Sequence, residues 1–270
     1  MSAFVAVQRS DYGPRLVLAA GLGMLALILA APGLAPYSPV AGSMDILMPP
    51  DAAHWFGTDQ FGRDIFSRFM AGGWSLTLMA VSAGLIAVVG GSVIGLVAGY
   101  RGGWVDAVLM RCVDVQLALP PKLLVLVFAT AMPRNTVLLV GLVGVLMMPG
   151  AARVIRGLVQ GIAAQDFIAA AEVAGSGFGS VILHEILPNV LLRVVLEVAL
   201  RTGFAVLILA GLNFLGIGLS PPSPDWGLAI NEGRATFTIA PLICLAPALG
   251  IVALVASVNL ITNALGELWK

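Results

Sequence analysis

Charged residues make up only 10% of this 270-residue chain, against 59% hydrophobic ones. A soluble domain needs about a quarter of its residues charged to cover its surface, so the composition excludes a water-soluble globule and points to an integral membrane protein. Lysine is almost missing: only Lys122 and Lys270 occur, and neither follows a glycine-rich phosphate loop. The formal net charge is zero, which gives no support to nucleic-acid binding. His54 and His184 are too few for a protein-built metal cage. Cys112 and Cys244 lie in apolar surroundings and read as packing residues rather than a disulfide or metal pair. With both histidines in polar loops, no Ser/His/Asp or Cys/His set can be assembled. The expectation is a chain with no catalytic residues, no metal and no cofactor of its own.

What is present is length without charge. About 20 apolar helical residues cross the hydrocarbon core of a bilayer. On that measure six spans are predicted: Leu16 to about Ala35, within Trp74–Tyr100, Trp104 to about Met132, Thr136–Ala152, Pro188–Leu212, and between Phe237 and Leu265. The first run is too long for a secretory h-region and reads as an uncleaved span. The fold class is therefore all-α and polytopic, one domain over 1–270. Residues 1–73 form the first span plus an external segment, and 74–265 form a five-helix core. Arg9, Arg15, Arg101, Arg153, Arg156 and Lys270 fall on one side, and Arg63, Arg68, Arg134 and Arg234 on the other. That bias places both termini in the cytoplasm.

Two polar stretches stand out. From Thr58 to Gly73 an amphipathic surface helix is predicted, with Phe61, Ile65 and Phe69 on one face and Asp64 pairing Arg68 at i, i+4. Gln165–Asn189 reads as a short helix capped by Asp166, a turn at Gly175, Gly177 and Gly179, a second short helix, and a stop at Pro188. It is either a connecting loop or a handle for something outside the bilayer. Charges inside spans are costly, so they face partners or wet cavities. Arg193, Glu197 and Arg201 form one stripe at i, i+4 steps, either a packing ion pair or the lining of a translocation route. Lys122, after the Pro120–Pro121 kink, and Asp114, two turns earlier, are further path candidates.

These residues carry a resemblance. AAEVAG followed by ILPN resembles the EAA loop of ABC-importer permeases, the cytoplasmic coupling helix that docks on the ATPase subunit. The version is that of the dipeptide, oligopeptide and nickel family, C-type subunit. Ala169, Ala170 and Ala171 fall on the family's Glu-Ala-Ala, Gly175 on its glycine, and Leu187 and Pro188 on its Leu-Pro. Ala169 replaces the family's glutamate, and Glu172 follows one turn on. HWFGTDQFGRDIFSR resembles the Gly-Thr-Asp-x-x-Gly-Arg-Asp signature, GYRGGWVD a third, and LNFLGIGLSPPSPDWG a fourth, with Gly216, Gly218, Pro221, Pro222, Trp226 and Gly227 in register. Typical members are apolar along the Arg193 stripe and carry an acid where this chain has Leu209.

The resemblance implies a type I importer permease for peptides in a bacterial inner membrane. It would pair with a second permease, two cytoplasmic ATPases that bind ATP and Mg, and an external substrate-binding protein. Asp166, Ala169, Ala170, Ala171, Glu172, Gly175, Leu187 and Pro188 would couple to the ATPases. Asp59, Arg63, Asp64, Pro221, Pro222 and Trp226 would face the delivery protein. The same machine carrying nickel or a metal chelate is one alternative, and a self-sufficient secondary transporter is another.

Overall fold

The computed structural model describes residues 12–131 and 135–269, without the side chains of Tyr12, Pro121 and Lys122. The chain runs α1 (Tyr12–Ala30), α2 (Ile65–Arg101), α3 (Gly103–Ala118), α4 (Pro121–Ala131), α5 (Thr136–Ala163), α6 (Asp166–Val173), α7 (Phe178–Ser180), α8 (Leu187–Phe214), α9 (Trp226–Gly233) and α10 (Leu242–Leu268). No strand is formed among the described residues. Among the described residues five helices are long and apolar enough to cross a membrane, or six crossings if α3 and α4, bent by 83° at their junction, count as one.

The centre is the parallel pair α2–α5. Gly91, Gly95 and Gly99 recur every fourth residue on α2 and form a stripe without side chains. A Cβ added there would come within 2.7–2.8 Å of Ala151, Ala152 and Val159 on α5. Small residues at such spacing let helix backbones approach closely in lipid, where packing rather than the hydrophobic effect holds helices together. Helix α8 closes on the same α2 face at Gly84, against Thr202. The core that results holds Leu76, Ala83, Val143, Val206, Leu209 and Leu254, all buried. Helix α1 lies outside and packs on α10, where Gly21 faces Ile261.

Three boundaries differ from the sequence reading, each for a local reason. Helix α2 starts at Ile65, so Thr58–Gly73 is not a separate surface helix. Asp64 caps it by accepting from the Ser67 N–H (2.8 Å) and hydroxyl (2.6 Å). The expected Asp64–Arg68 side-chain pair is therefore not made. Helix α5 continues eleven residues past Ala152 to Ala163, because Arg153 and Arg156 meet partners on α3 rather than ending the span. Pro188 stops nothing. A π turn over Val181–Ile186, with the Leu187 N–H donating to Ile182 O, joins α7 to α8 and absorbs the proline. His184 consequently lies in a helical turn, not a loop, and Cys112 is exposed on α3 rather than packed.

Candidate functional site: an exposed knob and a buried clamp

Helix α5 leads into α6 through Ala164 and Gln165 alone. Gln165, not Asp166, holds the N-cap position, and it makes no side-chain cap. Asp166 sits in the first turn, where a carboxylate meets the positive end of the helix dipole. The far end closes with a paired motif: the Gly175 N–H donates to Glu172 O and the Ser176 N–H to Ala171 O. Gly175 has φ +86°, which a residue with a Cβ adopts only under strain. The turn is thus built by chemistry specific to glycine.

An eight-residue helix has too few bonds to persist alone in water. Ile168, 1% exposed, anchors this one in a cluster with Leu96, Ile155, Val159, Val181 and Ile186. The α2 terminus grips the other side. Tyr100 Oη donates to Glu172 Oε1 at 2.7 Å, its ring stacks on Phe178 with centroids 5.3 Å apart, and the Arg101 guanidinium lies 4.8 Å from that ring. Among the coupling candidates, Asp166, Ala169, Ala170 and Gly175 stay exposed, Leu187 is half-buried against the cluster, and Pro188 is exposed. Phe167 and Val173, the latter 91% exposed, complete an apolar outer face that sequence reasoning did not single out. The segment is a braced knob on the α2–α5–α8 body.

At the other end of α2 the arrangement is inward. Arg63 Nε donates to Asp59 Oδ2 at 2.6 Å, while Arg63 Nη2 and Arg68 Nη2 share Glu232 Oε2 at 2.9 and 2.8 Å. Arg68 also donates to the carbonyls of Pro39, Pro222 and Ser223. His54 Nδ1 meets Asp64 Oδ1 at 2.9 Å. Trp226 stacks on Phe69 and its indole N–H donates to Phe69 O at 2.7 Å. Asp59, Arg63, Asp64 and Trp226 are each under 5% exposed. Their side chains therefore clamp the 39–68 segment to the 213–232 segment and are turned inward, not presented on the surface as the sequence reading expects. Of the six external candidates only Pro221 and Pro222 are exposed, joined by a cis peptide bond.

Asp225 caps α9 from a fully buried position, accepting from the Leu228 N–H (3.1 Å) and the Asn213 amide (2.9 Å). Its Oδ2 has no hydrogen-bond partner. Burial pushes its carboxyl up from 3.8 to about 6, against those stabilising bonds. A raised folded value means its contribution to stability is full below about 3.8 and is lost as pH rises through about 6. That gap corresponds to about 3 kcal/mol. Asp225→Asn keeps the cap acceptor without the charge. It is expected to flatten the melting temperature between pH 4 and 7, where the parent protein declines.

Most of the charges within spans sort into pairs. Glu197, 6% exposed, binds Arg201 at 2.5 Å, and the Arg201 guanidinium lies over Gly150 of α5, 2.6 Å from where a Cβ would stand. This is an α5–α8 packing contact. Arg193 is exposed and stands apart from the pair. The expected facing of Asp114 and Lys122 lies outside the described residues, because the Lys122 side chain is not among them. Asp114 has another partner. It binds Arg153 at 2.5 Å, while Arg156 holds Asp106 through two bonds of 2.5 Å. A groove of about 620 Å³ between α4 and α8 is lined by apolar residues, among them Val125, Leu126, Phe204, Leu207 and Ile208.

Comparison with known proteins agrees with this architecture. Residues 91–269 match the family described as "binding-protein-dependent transport system inner membrane component". The chain is 36% identical to the "dipeptide transport system permease protein DppC" of Alkalihalophilus pseudofirmus, over 82% of this chain and 73% of that protein. It is 35% identical to the "glutathione transport system permease protein GsiD" of Pectobacterium atrosepticum, over 81% and 72%. A "putative peptide permease protein" of Brucella suis is 34% identical over 90% and 82%. A helical body with apolar spans, an outward knob at the end of α5 and this similarity lead to one conclusion: the chain belongs to the binding-protein-dependent transport system inner membrane component family, the permeases of ABC importers.

Proposed function

We propose that this chain is one of two membrane-spanning subunits of a bacterial importer for short peptides, driven by separate ATPases through residues 165–189. The observation that carries the reading is the exposed, internally braced knob between α5 and α8, both of which are core helices. A braced knob transmits displacement, whereas a loose loop absorbs it. The relatives named for dipeptide, glutathione and peptide transport favour a peptide cargo.

In this scheme the knob and both chain ends face the cytoplasm. The second permease would cover the exposed α8 face, where Leu200, Phe204 and Leu207 are 40–57% exposed, and the route would run between the two subunits. Arg193 is the charged group at the inner end of that face. ATP-driven closure of the ATPases would push the knob, rock α3 to α10 and switch the route from inward- to outward-facing. A substrate-binding protein would deliver cargo beside Pro221 and Pro222.

The test is the reconstituted four-subunit complex with its binding protein in liposomes. Short peptides are expected to stimulate ATP hydrolysis and accumulate inside, whereas nickel salts or chelates are not. Stimulation by nickel alone, or uptake by this chain without ATPases, would refute the reading.

A further inference from the structure

Helix α3 is attached in an unusual way. Of its 16 residues only Val113 is buried. It joins α2 through Gly102 and Gly103, both at positive φ (+62° and +56°) with open space around each. Its other end is extended at Leu119, where the chain turns by 83° into α4. Between these two joints its side-chain bonds to α5 are polar. Arg156 grips Asp106, Arg153 grips Asp114, and Gln116 Nε2 donates to Val145 O at 3.1 Å.

Helix α5 is the opposite kind of element. The glycine stripe of α2 locks it in place, and it ends two residues before the knob. A lightly packed helix with a joint at each end is therefore fastened, by ion pairs, to the helix that carries the knob. The Asp114 and Arg153 side chains are 48% and 52% exposed, and Asp106 and Arg156 are 15% and 31%. None of the four belongs to the buried apolar clusters, so the pairs can part and re-form without unpacking the core.

We propose that Asp106–Arg156 and Asp114–Arg153 form a coupling latch that fastens α3 to α5 and is released when α5 is displaced. The latch is closed in the conformation described here. When the knob is driven, the pairs part and α3 swings about Gly102–Gly103 and the Leu119–Pro120 break. These four are positioning residues that act on α3. The inference rests on the proposed drive through residues 165–189.

Cys112 supplies the reporter, since it is exposed on α3 while Cys244 is buried. In the reconstituted complex, its labelling by a water-soluble maleimide is expected to change at least threefold between nucleotide-free and ATP-trapped states. Cys112→Ser gives the background. Asp106→Asn with Asp114→Asn should bring nucleotide-free labelling to the trapped level. The same variant should raise basal ATP hydrolysis several-fold and lower import at least fivefold. The charge exchange Asp106→Arg with Arg156→Asp should restore coupling. Should the neutral variants fail to assemble, Gly103→Ala disfavours the positive-φ hinge conformation without touching the ion pairs, and should shrink both import and the labelling change. Import at the parent rate in the neutral or hinge variants would overturn the latch. So would Cys112 labelling indifferent to ATP in a complex that imports normally. Loss of ATP-driven import in the unmodified complex would instead refute the underlying drive.

Discussion

Glu232→Gln is expected to cost about 3–5 kcal/mol of stability, the usual penalty for removing one partner of a buried ion pair. Glu232 Oε2 accepts from both Arg63 and Arg68, and Asp59 supplies the other negative charge, 2.6 Å from Arg63 and 3.7 Å from Arg68. Two arginines and two acids balance to zero in a space where each side chain is at most 9% exposed. Glutamine keeps the shape and an acceptor but leaves one positive charge without compensation. The measured drop in denaturation midpoint should be largest in low-salt detergent. Removing an arginine as well, as in Arg68→Met with Glu232→Gln, should recover part of the loss by restoring neutrality. A single variant that melts like the parent would show that these charges are solvated in a way their burial excludes.

Ile168→Ala should act at the other end and on transport rather than on the whole fold. The residue is the buried anchor of α6, and truncating a large buried aliphatic side chain costs about 2–5 kcal/mol. That exceeds what an eight-residue helix can supply by itself. The body of the protein retains its α2–α5–α8 core, so assembly and membrane insertion should survive. Import is expected to fall at least tenfold. Amide exchange should rise across 166–176 and stay unchanged in α2 and α5.

The two ends of the molecule were unequally legible in the sequence. Span number and order followed from uncharged length, because hydrocarbon imposes a length on any crossing helix. The α6 turn was legible too, since Gly175 needs a left-handed backbone and Asp166 favours a first turn. Charges misled where their partners lie far off in the chain. Arg153 and Arg156 looked like the end of a span, yet their acids sit 39 and 50 residues earlier on α3. Asp59, Arg63 and Asp64 looked like a solvated docking loop because Glu232, 169 residues from Arg63, is invisible to local spacing. Pro188 looked like a stop because a π turn has no pattern of its own. Local chemistry was readable, and long-range neutralisation was not.

The claim on which the rest depends is that the knob transmits work because it is braced. Peptide uptake per ATP hydrolysed, in the reconstituted complex, tests this directly. Two versions should be compared with the parent: Ile168→Ala, and one in which residues 166–177 are replaced by a glycine–serine linker of equal length. The account predicts that hydrolysis continues at a basal rate while uptake per ATP falls at least tenfold in both. Unchanged uptake per ATP in the linker version would contradict it.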